Sequence, residues 1–298
     1  MLRFLRRHRA RLIGAAVVLL ALGVCLGYQA FKTEPDSLIV AEYTIAPPSW
    51  PKALDGFRIA AVGDVHGGAP FIDEAKLEEL SRRISAARPD LIVWLGDYVT
   101  QTVIFGKFME PEKVASLLVQ AKAAQGHSAV IGNHDRWLGA ERIEKAFTSV
   151  GIPFLRWQSQ TLEVKGERVH LFGLDDYELS PNYWGRFREA EALWAKLPPG
   201  EPLIILTHSP DVFPSLPARA NLTLASHTHG GQVRLPGIGS PIVPSSFGQR
   251  YVRGYIVEDG RHLFVNTGIG TSFIPVRFGV PPEISILTLR AAAQGGPS

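Results

Sequence analysis

Asp64 and His66 stand two residues apart in Gly63-Asp64-Val65-His66-Gly67, directly after the apolar run Phe57 to Val62. A carboxylate and an imidazole so spaced at a strand end can point at one metal ion. Alone, the pair says little. Four later fragments repeat the arrangement: Gly96-Asp97, Gly132-Asn133-His134-Asp135, His208, and His227-Thr228-His229. Each follows another apolar run. Of the nine histidines, His66, His134, His208, His227 and His229 fall in these fragments. A single histidine is more often a packed or surface residue than a ligand. Five at equivalent places are hard to assign to packing. The mix of imidazole, carboxylate and amide oxygen suits Mn²⁺, Fe or Zn²⁺ better than Ca²⁺ or Mg²⁺ alone. The set is too large for one ion. Two ions ~3.5–4 Å apart would clamp a phosphoryl group and generate hydroxide at neutral pH.

The apolar runs that carry these fragments read as buried strands: Arg58–Val62, Leu91–Leu95, Ser128–Ile131, Leu203–Leu206 and Leu222–Ala225. Helical spacing separates the early ones, over Ile72 to Ala87, Pro111 to Ala124 and Ala140 to Val150. Gln160–Lys165 and Arg168–Leu174 predict a hairpin about Gly166, and Tyr183 to Leu197 a further helix. The rest is strand-like: Tyr255–Val257, His262–Val265 and Ile284–Leu289. Alternating strands and helices, then strands, predict one layered α/β domain over about 57–290. Sites in such folds gather at the carboxyl ends of strands.

The 298 residues are 46% hydrophobic, ample for a sizeable core. The single Cys25 excludes an intramolecular disulfide. The net charge of +3 is misleading, because residues 1–31 hold five arginines and no acid. Residues 32–298 keep 26 basic against 28 acidic groups, so no nucleic-acid partner is expected.

Leu12 to Phe31 is nearly free of polar groups. Twenty helical residues reach roughly 30 Å, the thickness of a bilayer core. Residues 1–11 therefore read as a basic cytoplasmic N-terminus and 12–31 as a single-pass transmembrane anchor in the cell membrane. The positive-inside rule puts the catalytic domain on the extracytoplasmic side. Two alternatives are a cleaved signal peptide and a twin-arginine export signal at Arg6-Arg7. Residues 32–56 form a Pro-punctuated linker with a candidate edge strand at Ile39–Ile45, and 291–298 a disordered tail.

In their order, Asp64-x-His66, Gly96-Asp97, Gly132-Asn133-His134-Asp135, His208 and His227-x-His229 resemble the five motifs of calcineurin-like metallophosphoesterases, over roughly residues 57–290. His208-Ser209-Pro210-Asp211, the stretch His227 to Gln232, and the N-terminal apolar segment are similar to a membrane-associated subfamily. Some of its members act on UDP-2,3-diacylglucosamine, a lipid A precursor. The resemblance implies a four-layer αββα sandwich preceded by one transmembrane helix. It implies two divalent metal ions, Mn²⁺, Fe²⁺/Fe³⁺ or Zn²⁺. Asp64, His66 and His229 would bind the first, Asn133, His208 and His227 the second, and Asp97 would bridge both. A bridging hydroxide would attack phosphorus in line. His134 would face the phosphate beside Asn133, stabilising charge or protonating the leaving oxygen. Asp135 would either orient His134 or serve as a cap or turn residue. One departure stands out: the family usually has glycine before the first histidine of its last motif, and here it is Ser226. A small residue there predicts a slight shift, with the metal kept.

The substrate expected is a phosphoester, with a lipid-linked one in view because of the anchor. Hydrolysis of the lipid A precursor would be cytoplasmic, opposite to the side the arginines indicate. Two rivals are a phosphomonoesterase or phosphoprotein phosphatase with the same metals, and a non-catalytic, metal-stabilised binding module on the membrane. Trp137 reads as a cleft wall or as core. The loop Val103-Ile104-Phe105 with Phe108 reads more readily as buried than as lipid-contacting. Arg250, Arg253 and Arg277 read as surface cations that can contact a phosphate. Gly237–Gly248 reads as a mobile rim or as an ordered connector.

Overall fold

A computed structural model describes residues 2–291, so the tail expected at 291–298 lies outside the described residues beyond Ala291. Two sheets stand face to face. The first runs in the order β1 (Ile39–Ile45), β11 (Glu283–Leu289), β2 (Phe57–Val62), β3 (Leu91–Trp94), β4 (His127–Ala129). The second runs β5 (Gln158–Val164), β6 (Glu167–Gly173), β7 (Leu203–Leu206), β8 (Leu222–Ala225), β10 (Arg261–Val265), β9 (Gly254–Glu258).

Period-two alternation explains why these strands are apolar on both faces. In β2, Ile59 and Ala61 face the second sheet, while Ala60 and Val62 face the other way. In β3, Leu91 and Val93 point inward, Ile92 and Trp94 outward. β7 repeats the division with Ile204 and Leu206 against Leu203 and Ile205. The outer face of the first sheet is covered by α3 (Glu74–Ala86), α4 (Pro111–Leu118) and α6 (Ala140–Ser149), which supply Leu80, Val114 and Phe147. The outer face of the second carries α7 (Tyr183–Trp194), through Phe187 and Trp194. The result is a mixed α/β, two-sheet sandwich with helices on both outer faces.

The helix expected over Pro111–Ala124 stops at Leu118. The chain turns there and places Ala121 in the core. The candidate edge strand forms: β1 pairs in parallel with β11 along its full length, from Ile39↔Glu283 to Ile45↔Leu289.

The N-terminal helix α1 (Leu2–Tyr28) passes through a π-helical turn, Gln29–Thr33, into α2 (Glu34–Asp36). The helical segment Arg11–Asp36 is long and apolar enough to cross a bilayer, and its most apolar 18-residue window is not buried against the rest of the chain.

Candidate metal centre

The carboxyl ends of β2, β3, β4, β7 and β8 meet at one edge of the sandwich. The first sheet brings Asp64, His66, Asp97, Asn133 and His134; the second brings His208, His227 and His229. Asn133 and His134 open the short helix α5 (Asn133–Leu138), which the strand-end reading did not foresee. Five of these residues leave their strands with positive φ: Asp64 46°, His66 47°, Asp97 57°, His227 72° and His229 52°. Side-chain-bearing residues rarely adopt this conformation, and such strain collects at functional sites.

Three groups of side chains bring their ligand atoms within 4.8 Å of one another: Asp64, His66 and His229; His66, Asp97 and His134; and Asp97, His208 and His227. In the first, the Nε2 atoms of His66 and His229 face each other at 3.2 Å, with rings stacked at 5.0 Å. Asp64 Oδ1 lies 3.5 Å from His229 Nε2. That oxygen is buried with no hydrogen-bond donor. Burial lowers His66 to about 3, despite the Asp97 charge, so its imidazole is neutral. Burial and the neighbouring His66 depress His229 as well.

His208 centres the other group. Its Nδ1–H donates to the Leu95 carbonyl at 2.7 Å, which leaves Nε2 with the lone pair. Around Nε2 stand Asp97 Oδ2 at 3.2 Å, Asn133 Oδ1 at 3.1 Å and His227 Nδ1 at 3.1 Å. Four acceptors converge on one point. Without a cation, a proton must separate them. Burial opposes that proton, but the Asp97 carboxylate, with Asp64 and the Leu95 carbonyl, raises His208 to about 10. The donor chemistry fits a cation: neutral imidazoles, carboxylates and one amide oxygen, oriented with their lone pairs together. Asp97 belongs to both sides, with Oδ2 also 3.7 Å from His66 Nε2.

The sequence model of the family described as Calcineurin-like phosphoesterase matches residues 57–233. The chain belongs to that family. Its relatives include an uncharacterized metallophosphoesterase, YkuE, of Bacillus subtilis (strain 168), 32% identical over 89% of this chain and 90% of that protein. The phosphodiesterase YaeI of Escherichia coli (strain K12) is 29% identical over 78% of this chain and 82% of its own. The UDP-2,3-diacylglucosamine pyrophosphatase LpxG of Chlamydia trachomatis is 26% identical over 90% and 94%. This phosphoesterase therefore has the fold and the enzyme class that its motifs resembled.

A cleft of about 590 Å³ opens over the centre. Asp97, Asn133, His134 and His227 form its floor, and Trp137, Ile242 and Phe273 its apolar walls. Trp137 is half-exposed and packs edge-on against His134 at 4.5 Å, so it is not core. The Gly237–Gly248 segment contributes Ile242 to Ser246 to the cleft. Ser245 Oγ and Ser246 N–H both donate to Asp211 and hold it there.

Asp135 has no side-chain hydrogen bond to His134 among the described residues. Its carboxylate accepts the backbone N–H groups of Asp97 at 2.7 Å, Tyr98 at 2.9 Å and Gly132 at 3.0 Å. Of the two roles expected for Asp135, orienting His134 or capping, these bonds make the cap, which ties the Asp97 loop to the Gly132 loop. Burial and the Asp97 charge push Asp135 upward, to about 8, and the Gly132 and Tyr98 N–H groups pull against them.

The arginine readings also change. None of Arg250, Arg253 and Arg277 lines the cleft. Arg250 pairs with Glu258 at 2.7 Å. Arg277 is fully buried and donates to the carbonyls of Thr267, Gly270 and Val280.

Two residues beneath the site have contacts that the sequence reading did not assign. Ser226, the family departure, donates its hydroxyl to Asp64 Oδ2, which also accepts the His227 N–H at 3.0 Å. Asn266 accepts the Gly63 N–H at 3.1 Å and the Gly268 N–H at 2.9 Å, while its Nδ2 donates to Ser285 Oγ at 2.8 Å. The loop it anchors presses on Asp64, since a Cβ on Gly268 would stand 2.6 Å from the Asp64 Cβ. The only advance signal was a small polar residue where the family places glycine; Asn266 had none.

Proposed function

We propose that this chain is a membrane-anchored phosphoesterase that uses two divalent cations to hydrolyse a phosphate ester or pyrophosphate bond. The observation that carries the reading is the position of Asp97. Its Oδ2 lies 3.2 Å from His208 Nε2 and 3.7 Å from His66 Nε2, between two groups of converging lone pairs. In this reading Asp64, His66 and His229 hold one ion, Asn133, His208 and His227 the other, and Asp97 both. When bound, the pair supplies Lewis acidity toward the phosphoryl oxygens and lowers the pKa of the attacking water.

The chain's own groups do the rest. Among the described residues, no lysine or arginine lines the cleft; beside the centre and His134, its polar lining is Glu178, Thr228, Gln232, Ser245, Ser246 and Ser272. His134 sits at the floor, its N–H backbone bonded to Asp97 Oδ1 at 2.9 Å and its ring against Trp137. From there it donates to a phosphoryl or leaving oxygen. Trp137, Ile242 and Phe273 exclude water and receive the apolar part of the substrate. Those walls, the apolar helix and the LpxG relative together support a lipid-linked phosphoester, UDP-2,3-diacylglucosamine being the example.

The test is hydrolysis of p-nitrophenyl bis- and mono-esters by the Mn²⁺-loaded chain. Turnover of either supports the reading, and their ratio sets its preference. No turnover, with Asn133→Ala changing only thermal stability, overturns it. For the side of the membrane, a reporter fused after residue 298 is expected to be active outside the cytoplasm; cytoplasmic activity contradicts the assigned orientation.

A further inference from the structure

Four apolar side chains at the cleft rim are left in water. Phe105 is 87% exposed, Phe273 58%, Ile104 51% and Ile274 49%. The loop expected to be buried thus turns in only Val103. The four form one patch, because the Ile104 N–H donates to the Phe273 carbonyl at 2.9 Å. Both phenylalanines have left-handed backbones, φ 65° at Phe105 and 59° at Phe273. Such a conformation is costly for a bulky residue, and exposure of the ring forgoes its burial. Phe105 gains almost no burial in return, and Phe273 less than half of its surface.

Position indicates what covers the patch. On one side, Phe273 lines the cleft and its ring lies 6.2 Å from that of His134. On the other, the same loop runs on to Arg277, whose N–H donates to the Ala30 carbonyl at 2.9 Å. Ala30 belongs to the membrane-length segment Arg11–Asp36. The junction is tied again where Glu34 accepts the Val280 N–H at 2.6 Å and Lys32 lies 4.5 Å from the Phe71 ring centre. Lys107, exposed beside Phe105, is bonded through its N–H to the Gly68 carbonyl at 2.7 Å, in the same neighbourhood. The rim loop and the end of the apolar helix are therefore one unit. Apolar tips flanked by lysines, at the level where a spanning helix leaves the hydrocarbon, match the interfacial layer of a bilayer.

We infer that Ile104, Phe105, Phe273 and Ile274 form a lipid-binding platform that enters the surface of the same bilayer the helix crosses. This rests on the anchored reading given above. The platform holds the cleft mouth against the membrane, so a phosphoester headgroup can reach the centre while its acyl chains run along the apolar cleft walls and out into the lipid.

The test uses the full chain in nanodiscs of phosphatidylcholine and phosphatidylglycerol, with Cys25→Ala as background. Single cysteines at Val18→Cys, Phe105→Cys, Ile274→Cys and, on β9, Tyr255→Cys carry an environment-sensitive fluorophore, and brominated lipid is the quencher. Melting temperatures verify that each labelled chain is folded. Labels at 18, 105 and 274 are expected to be quenched severalfold more than the label at 255. Quenching at 18 but at neither 105 nor 274 overturns the platform and leaves the anchor standing. Absence of quenching at 18 overturns the anchor and the platform with it. Labels at 105 and 274 that are shielded from water yet untouched by brominated lipid identify a second protein copy as the occupant, which also overturns the platform.

Discussion

A Cβ on residue 63 would stand 2.5 Å from the Cβ of Ser226, so Gly63 and Ser226 share one space at the foot of the metal centre. The serine hydroxyl uses that space to donate to Asp64 Oδ2, leaving Oδ1 facing His229. Ser226→Ala removes the donor and is expected to weaken Mn²⁺ affinity about tenfold, the lower end for partners that orient a ligand. Gly63→Ala overpacks the site and should cost about 1–3 kcal/mol. Adding Ser226→Gly to Gly63→Ala should restore part of that loss. Titration calorimetry and thermal melts read both effects; additive losses in the double variant would contradict the shared space.

Asp97 and His134 separate metal holding from chemistry. Asp97 touches both groups of ligand atoms, whereas His134 joins one group and faces the cleft. Asp97→Asn should lower metal content more than His134→Asn, while His134→Asn lowers turnover by about 10²–10⁴ with metal retained. A His134→Asn protein emptied of metal on elemental analysis would make His134 a ligand.

The metal-free chain should lose stability in mild base. His208, raised to about 10, keeps its proton between Asp97, Asn133 and His227. Its folded pKa lies above the unfolded value of about 6.5. The stabilisation is therefore complete below about pH 6.5 and is lost as pH rises toward about 10. One proton held only by the folded state changes stability by about 1.4 kcal/mol per pH unit. The melting temperature of the chelator-treated chain should fall between about pH 7 and pH 9, and Mn²⁺ should flatten that slope by replacing the proton. A metal-free melting temperature that holds steady or rises over this interval contradicts the proton's position.

Asp135→Asn tests the cap. An amide offers one acceptor oxygen where three N–H groups now converge, and its NH₂ meets at least one of them head-on. The loss should be about 1–3 kcal/mol of stability, with reduced metal content because the Asp97 loop loosens. Unchanged stability and metal content, with turnover alone reduced, would return Asp135 to a role at His134.

What could be read from the residues alone depended on how local the signal was. Leu203–Leu206 and Leu222–Ala225 form strands over those same residues, because a strand buried on both faces is a short uninterrupted apolar run. The site fragments follow those runs directly, so their convergence was legible before any contact was known. Arg277 was not legible. It looks like any exposed arginine until the fold buries it among three carbonyls from its own loop. The Ser226–Asp64 bond spans 162 positions, so the serine where the family places glycine marked the site but not its partner. Phe105 misled for the opposite reason: apolar loops are usually buried, and this one turns in only Val103, while the Ile104 N–H bonds to the carbonyl of the exposed Phe273.

The most direct measurement is turnover of p-nitrophenyl bis- and mono-esters of phosphate by the metal-free full chain as Mn²⁺ is added. With Asp97 bridging two ions as proposed, activity should stay low through the first equivalent, climb with the second and level off there. No hydrolysis at any loading, or full activity at one equivalent, would contradict a two-cation phosphoesterase.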